Sequence, residues 1–198
     1  MRNRDFFGGD LAGVREKLGY LRGLGVDTLY FCPIFEAPEN HRYGTGDYEK
    51  IDPMLGTEAD FRALCAEAHA LGMRVVLDGV FNHCGSSING WTGRRSMRRT
   101  AGMRPGAYLT ADSPYRDFFL FGDQDGWPDN DSYEGWWGHN TLPKLNYEGS
   151  KKLYQYVLDI AKRWLSPPYS IDGWRLDVAA DLGHSPEMNH RFWRDFRK

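Results

Sequence analysis

Cysteines and long hydrophobic segments are scarce in this sequence. Three cysteines occur among 198 residues, and such an odd, sparse set fits reduced thiols in the cytoplasm better than a disulfide framework. The apolar runs are too short to span a bilayer, and no basic segment followed by an apolar stretch opens the chain. We therefore expect a cytoplasmic protein without a membrane partner. A signal peptide removed during export would leave no trace, so secretion stays open.

An excess of charge of either sign is also lacking. The chain has 25 lysines and arginines against 27 aspartates and glutamates, a net charge of -2, so charge gives no reason to expect a nucleic acid as partner. Aromatic residues, in contrast, make up 15% of the chain and include seven tryptophans. Flat aromatic rings pack against the apolar faces of sugars, but they also fill protein cores. Composition alone leaves both interpretations open.

Helical and strand patterns alternate along most of the chain. Apolar residues at helical spacing predict four helices, over residues 11–22, 57–71, 149–165 and 186–198. Dense β-branched and aromatic runs predict three buried strands, within residues 26–35, 73–83 and 170–178. Pro33 should end the first of them, where the chain leaves its sheet. Strands that alternate with helices are typical of parallel βα units, which bind ligands at the carboxyl ends of their strands.

The periodicity fails between Cys84 and Asn140, where Gly, Pro, Asp, Arg and Trp dominate. This composition predicts an irregular excursion attached to the end of a strand. The chain therefore divides into residues 1–83, residues 84–140 and residues 141–198. A free-standing three-stranded α/β protein with an unrelated role is one interpretation, but its exposed sheet edges would be a liability.

The third predicted strand carries a charge pair in an otherwise apolar run. Residues two apart in a strand point to the same side, so Arg175 and Asp177 share a side with Gly173. A neighbouring guanidinium offsets part of the cost of burying a carboxylate and favours its ionised form. The pair is therefore either a poised nucleophile or a structural ion pair, and these two residues alone do not decide between them.

Polar residues also follow the second predicted strand. Asp78, Asn82 and His83 arrive at its carboxyl end, where ligands bind in parallel βα proteins. A single histidine after a strand is often only a hydrogen-bonded loop residue, so a structural role stays open. His83 precedes Cys84, but no second pair of Cys or His follows at zinc spacing, which disfavours a zinc site.

Three segments in order, "LDGVFNH", "LPKLN" and "GWRLDVA", closely resemble signature segments of the α-amylase glycoside-hydrolase family. "FFGGDLAGV" and "PIFEAPENHRYGTGDYEKIDPMLGT" look most like its neopullulanase, cyclomaltodextrinase and maltogenic amylase branch. The resemblance implies an α/β fold, namely a partial (β/α)8 TIM barrel holding about strands 2 to 4 with their helices. Residues 1–83 would be the first part of the barrel, residues 84–140 a domain-B-like excursion after the third barrel strand, and residues 141–198 the continuation through the fourth strand.

The resemblance also implies roles for individual residues. Asp177 matches the catalytic nucleophile, and Arg175 matches the arginine that keeps it ionised. His83 matches a histidine that hydrogen-bonds the sugar, Tyr43 a tyrosine that stacks on the same sugar, and Asp78 an aspartate that supports the site.

No cofactor is required by this chemistry, but the resemblance implies sites for structural calcium. Asn82 occupies one position that binds calcium in many relatives, and Gly8 and Asp10 match positions that help to hold a second ion. In the excursion, Trp137 is a candidate platform for a sugar ring, as are Trp127 and Trp136. Packing within the protein is the alternative for all three tryptophans.

The family reaction cleaves an α-glucan in two displacements with net retention of configuration. It needs a second carboxyl group, which in relatives is a glutamate after the strand that follows "GWRLDVA". We therefore expect the acid to lie beyond Lys198 and these 198 residues alone to be inactive. The intact protein would act on maltodextrins, cyclodextrins or related glucans. The resemblance to this branch also implies a homodimer. A non-catalytic carbohydrate-binding or partner-binding relative of the same fold is the alternative.

Overall fold

The computed structural model describes residues 5–86, 106–122 and 132–198. Its helices are α1 (Leu11–Gly23), α2 (Glu58–Ala70), α3 (Lys151–Leu165) and α4 (Pro186–Phe196). Its strands are β1 (Thr28–Phe31), β2 (Phe35–Glu36), β3 (Asp47–Ile51), β4 (Arg74–Gly79) and β5 (Gly173–Leu176). The four predicted helices are confirmed. Among the described helices, none is long and apolar enough to cross a membrane.

β1, β4 and β5 form a parallel sheet with β4 at its centre. Thr28 of β1 is in register with Arg74 of β4, and Asp78 of β4 is in register with Arg175 of β5. Parallel neighbours need a crossover connection, and α2 and α3 lie in the two crossovers. The predicted parallel βα units are confirmed.

The first predicted strand is confirmed as β1, which ends before Pro33 as expected, but the second strand that follows Pro33 was not predicted. β1 ends at Phe31, and after Pro33 the chain enters β2, which pairs with β3 in a separate antiparallel sheet. Proline has no N–H to donate to a sheet. The hydroxyl of Tyr48, on β3, lies 2.8 Å from the carbonyl oxygen of Val80 and 2.9 Å from that of His83. The hairpin therefore braces the segment after β4, where the polar residues cluster.

An aromatic cluster packs against one side of the central sheet. Trp164 of α3 is fully buried, and its ring centroid lies 5.1 Å from that of Phe35 and 4.4 Å from that of Tyr169. Trp174 of β5 points toward this cluster, with its ring 6.3 Å from that of Phe35. Because side chains alternate along a strand, Arg175 points to the opposite side of the sheet, which leaves that side available for charged groups.

The described parts of the excursion return to the end of β4 through isolated antiparallel bridges. His83 bridges to Lys144, and Gly135 bridges to Pro143. A short 3-10 turn, Trp136–Gly138, lies between Gly135 and Pro143 in the sequence. The excursion therefore brings Trp136 and Trp137 next to the carboxyl end of the sheet.

Candidate active site

Arg175 joins two aspartates at the carboxyl end of the sheet. Its Nη1 donates to Asp177 Oδ1 at 2.7 Å and lies 3.1 and 3.2 Å from the two carboxylate oxygens of Asp78. The backbone N–H of Asp177 donates to the carbonyl oxygen of Gly79 at 3.0 Å. Since Asp78 and Arg175 are also register partners, sheet pairing places the three charged groups side by side.

The two aspartates differ in exposure. The side chain of Asp177 is 16% exposed, whereas that of Asp78 is 0% exposed. Burial raises the pKa of Asp177 above its ordinary value, and the hydrogen bond and charge of Arg175 act in the opposite direction. The hydrogen bond to Asp177 is the largest influence that raises the pKa of Arg175, which therefore stays charged. Asp177 is thus the carboxylate that a ligand can reach.

Two tyrosine hydroxyls complete the surroundings of Asp78. Tyr30 donates to Asp78 Oδ2 at 2.5 Å, and Tyr43 donates to the same oxygen at 3.1 Å. Burial raises the pKa of both phenols, so both remain donors. Tyr43 comes from the loop between β2 and β3, as expected for a site residue. Tyr30, on β1, was missed by the motifs, although strand alternation places it on the side opposite to buried Leu29.

His83 follows β4 and stacks against Trp136. The two ring centroids are 5.1 Å apart with an angle of 14° between the planes, and His83 is 1% exposed. Burial lowers the pKa of His83 to about 4, because an imidazolium would be poorly solvated there. The imidazole is therefore neutral. Its contact with a sugar stays a prediction.

The two neighbouring tryptophans border a surface cavity of about 650 Å³. Trp136 Nε1 donates to Asp181 Oδ2 at 3.0 Å, which connects the excursion to the turn after β5. No sequence pattern predicted this contact. Trp137 is 81% exposed, with its ring 5.5 Å from that of Trp136. An exposed indole beside a polar cavity can stack on a sugar ring. Trp127 lies outside the described residues.

The residues predicted to bind calcium lie in two separate parts of the structure. Asp10 Oδ1 accepts the N–H of Gly13 at 2.7 Å and so caps α1, while Gly8 lies on exposed backbone. Asn82 is fully buried and its Oδ1 has no hydrogen-bond partner, but it is a single ligand. Within residues 5–86, 106–122 and 132–198, no group of three or more His, Cys, Asp or Glu could hold a metal ion. Calcium binding stays a prediction, and no chemical step is assigned to it.

Comparison with known proteins gives a consistent result. A family model described as the alpha amylase catalytic domain matches residues 2–196. An amylopullulanase of Thermoanaerobacterium saccharolyticum is 39% identical over 211 residues, covering 98% of this chain and 15% of that protein. An intracellular maltogenic amylase of Bacillus subtilis is 40% identical over 195 residues, covering 98% and 29%. The chain thus spans less than a third of the length of these curated relatives.

A solved structure agrees as well. The ligand-free cyclic alpha-maltosyl-(1→6)-maltose hydrolase from Arthrobacter globiformis matches with a TM-score of 0.79 and 38% sequence identity, covering 98% of this chain and 40% of that chain. Agreement of sequence and backbone over nearly all of this chain supports the (β/α)8 barrel fold. The resemblance expected from the three sequence segments is confirmed.

Proposed function

Because this chain belongs to the alpha-amylase family of glycosidases, we propose that it forms part of a retaining glycoside hydrolase or transglycosylase. Its proposed substrates are α-1,4- and α-1,6-linked glucans such as maltodextrins and cyclodextrins. The arrangement of Asp177 beside Arg175 at the carboxyl end of the sheet carries this proposal. The names of the relatives, amylopullulanase and maltogenic amylase, support the substrate class.

Asp177 is the proposed nucleophile. Its carboxylate attacks the anomeric carbon while the bond from that carbon to the leaving oxygen breaks, which gives a covalent glycosyl ester. Water or another sugar hydroxyl then displaces the carboxylate from the opposite side, so the configuration is retained. Arg175 serves the first step, because its donated hydrogen bond at 2.7 Å favours the ionised carboxylate and fixes its orientation.

A second carboxyl group, about 5 to 5.5 Å from that of Asp177, must protonate the leaving oxygen. Asp78 does not suit this role, because its side chain is 0% exposed and its oxygens accept from Arg175, Tyr30 and Tyr43. We assign the acid to a glutamate outside these 198 residues, on a strand that follows α4. Asp78 instead anchors Arg175.

The remaining site residues are proposed to bind sugar. Tyr43 lies beside Asp78 and can stack on the sugar that Asp177 attacks, and His83 would hydrogen-bond that sugar. Trp137 would hold a further glucose unit, since its indole is 81% exposed at the rim of the cavity. Residues 84–140 would then form one side of the cleft as a small domain.

The full-length protein, meaning the complete translation product that contains this chain, is proposed to work in the cytoplasm without a cofactor. The name of the intracellular maltogenic amylase supports that location. A homodimer is proposed from the resemblance to the maltogenic amylase branch.

Asp177→Asn in the full-length protein tests the proposed function. We expect turnover of maltodextrin to fall by several orders of magnitude, because an amide cannot form the glycosyl ester, while oligosaccharide binding survives. Release of reducing ends measures turnover, and titration calorimetry measures binding.

Asp159→Asn, at an exposed position of α3, is the matched control and should behave as wild type. Near-normal turnover of Asp177→Asn would remove Asp177 from the nucleophile role. A wild-type protein that binds glucans without cleaving them would favour the non-catalytic relative.

A further inference from the structure

The geometry points to Tyr30 as a positioning residue that holds Asp78, and through Asp78 the guanidinium of Arg175, in place for Asp177. This inference rests on the proposed function, in which Asp177 is the nucleophile. Tyr30 belongs to none of the motifs that identify the family, and it contacts the reacting carboxylate only through two other residues.

One guanidinium nitrogen serves both carboxylates. Nη1 of Arg175 carries two hydrogens, and it lies 2.7 Å from Asp177 Oδ1 and 3.1 Å from Asp78 Oδ1. The shorter contact goes to the partly exposed Asp177, whereas the longer goes to the fully buried Asp78. A buried carboxylate normally demands the stronger donors, because leaving its oxygens unsatisfied is costly. Other donors must therefore satisfy Asp78.

Tyr30 is the closest of those donors. Its hydroxyl lies 2.5 Å from Asp78 Oδ2, against 3.1 Å for the hydroxyl of Tyr43. The two phenols supply hydrogen bonds that Asp78 would otherwise draw from Arg175. Because the side chain of Asp78 is 0% exposed, water cannot replace the Tyr30 hydroxyl without rearrangement. Loss of that hydroxyl should therefore pull the guanidinium toward Asp78 and lengthen its contact with Asp177.

The position of Tyr30 separates this role from a role in packing. In this chain Tyr30 is 48% exposed and lies at the edge of the sheet. It lies on β1, whose register with β4 fixes the distance between the phenol and Asp78. Tyr30→Phe deletes the hydroxyl and keeps the ring, so we expect the fold to persist.

The test is the pH dependence of kcat/KM for maltodextrin in the full-length protein. A weaker contact with Arg175 raises the pKa of Asp177, and the nucleophile must be ionised to attack. The acid limb of Tyr30→Phe should therefore move up by about half to one pH unit, which is a loss of about three- to tenfold in kcat/KM below the limb. The loss should fall on kcat, with little change in KM. Tyr20→Phe, at an exposed position of α1, should leave the profile unchanged.

A second measurement does not depend on turnover. Titration of the Asp177 carboxyl by carbon-13 NMR, assigned through its loss in Asp177→Asn, should show a higher pKa in Tyr30→Phe than in wild type or Tyr20→Phe. An Asp177 pKa and an acid limb that both match wild type would overturn the inference. If the NMR shift appears but the wild-type protein cleaves no glucan, the positioning role stands and the proposed function fails.

Discussion

At the scale of single residues, surroundings decide what each carboxylate does. Asp78 and Asp177 share one guanidinium, yet Asp78 is enclosed by two phenols while Asp177 stays partly open. Strand alternation predicted that Arg175 and Asp177 share a side, because the period of a strand is local. It could not reveal that the closest donor to Asp78 is Tyr30, 48 residues earlier in the chain. That pairing depends on which strands are neighbours in the sheet.

His83 makes stability depend on pH. Its pKa is about 4 in the folded protein against 6.5 without burial, so between these values the unfolded chain binds a proton that the folded chain does not. The contribution of His83 is fully present above about pH 6.5 and is lost as the pH falls toward 4, by roughly 3 kcal/mol in total.

His83→Phe keeps an aromatic ring against Trp136 and removes the titration. In urea unfolding of the full-length protein at pH 7 and pH 4.5, we expect the variant to lose less stability on acidification than wild type. His190→Gln, at an exposed position of α4, should retain the full loss. Equal losses in His83→Phe and wild type would show that His83 is not held neutral by burial.

At the scale of elements, the helices were predictable and the small hairpin was not. The helices have both apolar spacing and local caps, such as Asp10 before α1 and Ser185 before α4. β2 and β3 are two and five residues long, too short for a period of two to stand out. Buried Tyr48 fixes β3 through carbonyl groups beyond β4, and a contact so distant in sequence leaves no local pattern.

The capping box of α2 gives a prediction at this scale. Thr57 Oγ1 accepts the N–H of Asp60 at 3.2 Å, and Asp60 Oδ2 accepts the N–H of Thr57 at 2.8 Å. Thr57→Ala removes the first bond, together with the hydrogen bond that Thr57 Oγ1 donates to Asp60 Oδ2 at 2.7 Å, and should destabilise the start of α2 by about 1 kcal/mol. Hydrogen–deuterium exchange should then show about fivefold lower protection in its first turns, with α3 unchanged. Thr57→Ser retains the hydroxyl and should exchange as wild type. Equal protection in Thr57→Ala would contradict the role of the cap.

At the scale of the whole molecule, the relation of the excursion to the sheet lay beyond sequence patterns. Apolar periodicity predicted that residues 84–140 are irregular, but irregular segments carry no repeat from which to place their side chains. The stacking of Trp136 on His83 and its hydrogen bond to Asp181 join three separate segments. Trp136 stacks on one face of the histidine that the family resemblance assigned to the sugar, so the surroundings of His83 include a residue of the excursion.

The chain as a whole should not cleave maltodextrin by itself. Departure of the leaving group needs a proton donor near Asp177. Among the described residues, Asp78 shares Arg175 with Asp177, but its side chain is buried and its oxygens accept hydrogen bonds, so it does not suit this role. We therefore expect no reducing ends from these 198 residues at concentrations where the full-length protein is active.

Circular dichroism should first establish that the chain is folded. α-Maltosyl fluoride, whose leaving group needs no proton, then separates a missing acid from a damaged nucleophile: fluoride release that disappears in Asp177→Asn is the expected result. Cleavage of maltodextrin by the chain that also disappears in Asp177→Asn would mean that the acid lies within these 198 residues.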